Sequence, residues 1–231
     1  MKEFSLLEEK IGVKFKNKDL LTQAFVHRSY LNENPDFSLF HNERLEFLGD
    51  AVLELIVTDY LYASFPDKPE GELTSWRAAL VNSKMLSLVA KEIDLNDFLL
   101  LSRGEKRETG KARDYILANT FEALVGSMYL DRGIAETRRF VKRWLLPKIS
   151  MIQEEHLFQD AKSRFQEVAQ EKVNITPVYK LLKESGPDHV KHFVIGAFLG
   201  SELAGQGEGF SKQEAEERAA KEALEKFEKE E

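Results

Sequence analysis

Cysteine is absent from the chain, which excludes disulfide cross-links and thiolate zinc sites. Long apolar runs are missing too. Nothing approaches the roughly 18 residues that a membrane-spanning helix needs, and the opening stretch MKEFSLLEEKIGVKFKNKDL lacks the apolar core of a secretory signal. A cytoplasmic protein with no membrane partner is the expectation. A cation excess is the third absence. The formal net charge is −7, and neither the first two-thirds of the chain nor the remainder has a positive total. Charge alone therefore does not advertise a nucleic-acid partner, although binding depends on where the cations sit. What remains is 42% hydrophobic and 32% charged over 231 residues. That composition suits a globular chain with a real core, as one large domain or a medium and a small one.

The pattern changes along the chain. Apolar residues recur at helical spacing over 42–64, 72–91, 112–131 and 134–146, punctuated by FPDKPEG, SRGEKRETGK and DRG. This predicts an all-α domain over residues 1–150. A polar linker over 151–159 follows. From 160 to 231 the order is helix (DAKSRFQEVAQEK), three strands (TPVYKLLKES, VKHFVIGAFL, ELAGQGEGF) and a final helix (SKQEAEERAAKEALEKFEKE). The fold class is thus an all-α domain followed by a small α+β domain of α-β-β-β-α order.

One helical run raises a chemical question. HNERLEFLGDAVLELI, residues 41–56, sets Glu43, Glu46 and Asp50 in one row among leucines, because positions three, four and seven apart share a helix side. Gly49 sits inside the same run, at a cost of about 1 kcal/mol against alanine, and such a glycine often marks a close backbone approach. DYILANTFEALVGSMYLD repeats the design, with Asn119 and Glu122 three apart and Gly126 one turn on. If the glycines mark a crossing, the polar groups of both helices meet. Unpaired carboxylates there would be driven to take up protons, and a divalent cation would relieve them. Every donor is an oxygen, which suits Mg2+ or Mn2+ rather than zinc. Such an ion on a rigid frame equips phosphodiester hydrolysis. The pattern by itself leaves a structural polar cluster equally open.

NERLEFLGDAVLELI resembles the signature of the ribonuclease III family. LLTQAFVHRSYLNEN is similar to the family segment around a THRS core, with Val26 in place of the threonine. DYILANTFEALVGSMYLD resembles its second acidic helix, and the C-terminal unit resembles a double-stranded-RNA-binding domain. The resemblance covers almost the whole chain. It implies a Mg2+-dependent endoribonuclease, with Mn2+ as a possible substitute and no small-molecule cofactor. Such an enzyme cuts double-stranded RNA in RNA processing and leaves 5′-phosphate and 3′-hydroxyl ends. It further implies a homodimer with two active sites along one valley.

By the same resemblance Asp50 and Glu122 are catalytic, and Glu46, Asn119 and Glu122 are metal ligands. Glu43 and Glu70 are supporting acids, and Phe47 packs at the dimer interface. Asn119 departs from the pattern, which has aspartate there; an amide oxygen binds Mg2+ less strongly than a carboxylate. An alternative follows from that position: a double-stranded-RNA-binding protein with attenuated cleavage. A helical scaffold with no RNA role would leave both the acids and the second domain unexplained.

In the small domain, Ser211 and Glu214 form a capping box at the start of the last helix, and a helix N-terminus with Lys212 suits a phosphate. The resemblance adds Gln166 and Glu167 on the first helix and His189 in the GPDH loop as RNA contacts. Gln213 and Glu216 stand where the family often has further lysines, which predicts modest affinity from this domain. The GQGEGF glycines lack the spacing and the βαβ setting of a dinucleotide site.

Overall fold

The computed structural model describes residues 3–154, 161–187 and 191–229. Its contacts divide the chain into Met1–Phe158 and Gln159–Glu231. The described part of the first unit is helical apart from one isolated bridge. It begins with three short helices, α1 (Ser5–Ile11), α2 (Lys18–Ala24) and α3 (Arg28–Glu33). Asn17 caps α2 by accepting the N–H groups of Asp19 and Leu20.

Between α2 and α3 the backbone turns extended. Val26 and Leu100 pair as a parallel bridge, with the Leu100 N–H donating to Phe25 O at 2.9 Å and the His27 N–H donating to Leu100 O at 3.1 Å. The Asn42 N–H donates to Val26 O at 2.9 Å, so the entry to the next helix is anchored on the same segment. That helix is α4 (Glu43–Ser64), followed by α5 (Glu70–Val81), α6 (Ser83–Glu92), α7 (Gly110–Trp144) and α8 (Ile149–Glu154).

Two elements depart from the periodicity. The run 72–91 is not one helix but two, because Asn82 is extended and its side chain accepts the Met85 N–H at 2.9 Å, capping α6. The runs 112–131 and 134–146 are joined in α7, with a break at Gly133, whose φ of 77° is left-handed.

The core centres on α4 and α7, with Leu53, Ile56, Phe121 and Leu124 at most 1% exposed. Burial is one-sided on α4. Phe47 is 82% exposed, and Leu55 and Tyr62 are also largely exposed.

The second unit comprises α9 (Ala161–Val173), β1 (Val178–Ser185), β2 (His192–Leu199), β3 (Glu202–Gly209) and α10 (Lys212–Lys229). The strands form an antiparallel sheet in the order β1-β2-β3. Phe165, Ala197, Ala219 and Ala223 are fully buried between the sheet and the two helices. The alternating glycines of β3 have a packing reason. A β-carbon on Gly205 or Gly207 would land on the carbonyl oxygen of Ala219 or Ala215 in α10, so the sheet and helix backbones are nearly in contact.

Candidate active site

α4 and α7 cross where their glycines meet. A β-carbon on Gly49 would strike the carbonyl group of Glu122, and one on Gly126 would strike that of Leu45. This close crossing explains a glycine inside each helix despite its propensity cost. It also brings Glu46 and Asp50 of α4 opposite Asn119 and Glu122 of α7. The four line one cleft of about 390 Å3, together with Glu43, Tyr115 and Ser83. A recess of about 260 Å3 adjoins it, sharing Glu43, Glu46, Tyr115 and Asn119 and adding His27 and Arg28.

The acids are less enclosed than the sequence suggested. Glu43 and Asp50 are exposed, and Glu46 and Glu122 are half-buried. Their electrostatics nonetheless show crowding. Glu122 is pushed up to about 8, first by burial and then by the Asp50 and Glu46 charges. Glu46 is also raised, by burial and by its neighbours Glu43 and Asp50, against a lowering hydrogen bond from the Asn119 amide. No Lys or Arg is among the groups acting on either carboxyl. Among the described residues, no three Asp, Glu, His or Cys side chains stand in ready metal-ligand geometry. The donor chemistry nevertheless fits a hard divalent cation: oxygen donors only, and like charges that a 2+ ion would relieve.

Of the other sequence-derived positions, Phe47 borders this cleft and Glu70 does not. Glu70 opens α5, exposed, accepts from Thr74 Oγ1 at 3.1 Å, and lines a separate groove of about 710 Å3 with Leu61, Tyr62, Phe65 and Leu73. Phe47 stands at the rim of the acidic cleft, facing outward. In the second unit Gln166 and Glu167 are exposed on α9, and Lys212 is exposed at the start of α10 with its ammonium 5.9 Å from the Phe193 ring centroid. His189 lies outside the described residues.

The capping box differs in one detail. Ser211 Oγ accepts the Glu214 N–H at 3.1 Å, but the Glu214 carboxylate reaches back to the Phe210 N–H, at 2.9 Å, one residue before the serine. Of the predicted lysine-poor positions, Glu216 is paired with Lys162 at 2.6 Å. Tyr115, Ser83 and Arg28 line the cleft or its recess without having been singled out. They come from three separate stretches, and no spacing rule connects them.

Residues 17–149 match a family model described as Ribonuclease-III-like, and residues 161–227 match one described as Double-stranded RNA binding motif. The chain is 44% identical over 222 residues to Ribonuclease 3 of Pelotomaculum thermopropionicum, covering 96% of this chain and 92% of that protein. It is 44% identical over 218 residues to Ribonuclease 3 of Enterococcus faecalis, covering 94% of each. Among solved structures, the nuclease domain of ribonuclease III from Campylobacter jejuni aligns with a TM-score of 0.57 at 37% identity, over 63% of this chain and 99% of that one. That structure was described as showing flexibility in a region involved in dimer formation.

Proposed function

Because the chain belongs to the ribonuclease III family and is an endoribonuclease carrying a double-stranded-RNA-binding motif, we propose that it hydrolyses phosphodiester bonds of duplex RNA with Mg2+, or Mn2+ in its place, leaving 5′-phosphate and 3′-hydroxyl ends. The observation that carries this reading is the meeting of Glu46, Asp50, Asn119 and Glu122 in one cleft at a glycine-to-glycine helix crossing.

Glu46, Asn119 and Glu122 would hold the ion. Bound there, it would polarise the phosphoryl group and make an attacking water more acidic. Asp50 and Glu122 face the reacting phosphate as the catalytic pair. Glu122 holds a proton at its carboxyl at neutral pH when no cation is present, so it must give that proton up to act as a ligand. Asn119 lowers Glu46 in the absence of a cation, and its carbonyl oxygen must face the ion for it to serve as one. Glu43 stays at the rim, where its charge adds to the field of the site.

Duplex RNA is drawn to the second unit by the exposed Lys212 at the start of α10 and by the α9 face bearing Gln166 and Glu167. Two copies of the chain, joined through Phe47 and the exposed apolar residues of α4, would present two clefts to one duplex. Each cleft would then cut one strand. The cuts would serve the maturation of ribosomal and messenger RNA precursors in the cytoplasm.

The test is a labelled duplex RNA incubated with Mg2+ or Mn2+, with Asp50→Ala beside the unaltered protein. Cleavage that disappears in Asp50→Ala, while the gel shift persists, is the expected result. A gel shift with no cleavage by the unaltered protein would favour the attenuated reading that Asn119 suggests. Cleavage undiminished in Asp50→Ala would refute the assignment.

A further inference from the structure

An acidic cleft that must accept a polyanion has an electrostatic problem, and one side chain in the recess offers an answer. Among the described residues lining the cleft and its recess, Arg28 alone carries a permanent positive charge. His27 beside it does not add a second. Its Nδ1 accepts from the Ser29 N–H at 3.3 Å and lies 2.8 Å from Ser29 Oγ, and Ser29 Oγ in turn accepts from the Ser102 N–H at 3.2 Å. That arrangement leaves the imidazole proton on Nε2, in the neutral tautomer. Burial favours the same uncharged state.

Arg28 sits at the first position of α3, and its guanidinium lies 3.3 Å from the Glu43 carboxylate. The pair is poorly shielded, with the two side chains 68% and 44% exposed. An ion pair so open to water contributes little to stability, and is readily exchanged for a better partner. A guanidinium binds a phosphate through two parallel hydrogen bonds, with a geometry that a single contact to Glu43 does not use.

We infer that Arg28 is a positioning residue for duplex RNA: it leaves Glu43 to grip a backbone phosphate next to the one hydrolysed, so that the scissile group is seated over the carboxylates. This rests on the proposed function and adds a residue to it. The released Glu43, left with only the His41 imidazole 3.8 Å from its carboxylate, would then pull more strongly on a cation as the RNA arrives. RNA seating and cation affinity would thereby reinforce each other.

The experiment measures binding of a fluorescent duplex RNA to the full chain in EDTA across a range of salt. The proteins are the unaltered chain, Arg28→Gln, Arg28→Lys, Glu43→Gln and the double variant Arg28→Gln/Glu43→Gln. Loss of one phosphate contact makes the slope of log affinity against log salt shallower by about 1. Arg28→Gln is expected to show that change with about tenfold weaker binding, and Arg28→Lys to keep the slope. Glu43→Gln should tighten binding by freeing the arginine, and the gain should vanish in the double variant. Thermal unfolding should move little in any of them, which separates the effect from misfolding. If the unaltered protein cleaves duplex RNA while Arg28→Gln keeps both slope and affinity, the inference fails alone. If the unaltered protein neither binds nor cleaves the duplex, the proposed function fails and takes the inference with it.

Discussion

Asn119 places an amide among three carboxylates, and so offers a cation less charge and one fewer strong oxygen donor than a carboxylate would. Replacing it with aspartate restores both. Half-maximal cleavage by Asn119→Asp should therefore need several-fold less Mg2+ than the unaltered protein, and superimposable Mg2+ titrations would refute the assignment of position 119. Glu122 leads to a prediction about the metal-free protein. Its carboxyl is raised from 4.5 to about 8 in the fold, so the folded state holds a proton that the unfolded chain releases. The stabilisation this provides is complete below the unfolded value and is lost as pH rises through the folded one. In EDTA the melting temperature should fall between about pH 4.5 and pH 8, and Glu122→Gln should flatten that decline. A decline of the same size in the variant would assign it to other groups. These four site residues were legible in the sequence because helical spacing and a nearby glycine mark each pair. Arg28, Ser83 and Tyr115 were not, since nothing in linear order says which loop or helix end will face a cleft.

At the scale of elements, the crossing of α4 and α7 sets two effects against each other. Alanine in place of Gly49 would favour the helix by about 1 kcal/mol through propensity. It would also force a methyl group into the Glu122 carbonyl, and overpacking against backbone costs roughly 1–3 kcal/mol or more because neither helix can yield locally. Packing should win. Gly49→Ala is expected to lower the urea midpoint and to reduce cleavage together, and a raised midpoint would show that the helices slide apart without penalty. The two long helices were legible because their apolar periods persist over many residues, and the three strands because the turn residues SGPDH and GS divide them. The break at Asn82 was hidden inside an unbroken helical period, where a cap is a local contest between a side chain and the backbone. The helices α1 to α3 are too short to show a period at all. The open face of α4 was hidden for a different reason: an apolar stripe on a helix does not say whether its own chain or another covers it.

At the scale of the whole molecule, Phe47 at 82% exposure, with Leu55 and Tyr62 further along α4, leaves large apolar side chains of one helix open to water. A second copy covering them is consistent with Glu70 standing away from its own cleft. Phe47→Arg should shift sedimentation from dimer to monomer and depress duplex cleavage, whereas an unaltered sedimentation coefficient would move the interface elsewhere. The small extended pairing at Val26 has a wider consequence than its size suggests. Three distant stretches of the first unit are stitched there by main-chain hydrogen bonds at His27, Asn42 and Leu100, and the Asn42 side chain adds one to Ala24 O at 3.1 Å. The hydrogen bonds at residue 26 use only its backbone, so a valine, fully buried here, makes them as a threonine would. In deuterium exchange these three amides should be among the slowest of the unit, preserved until it unfolds as a whole; rapid labelling there would mean that the seam opens on its own.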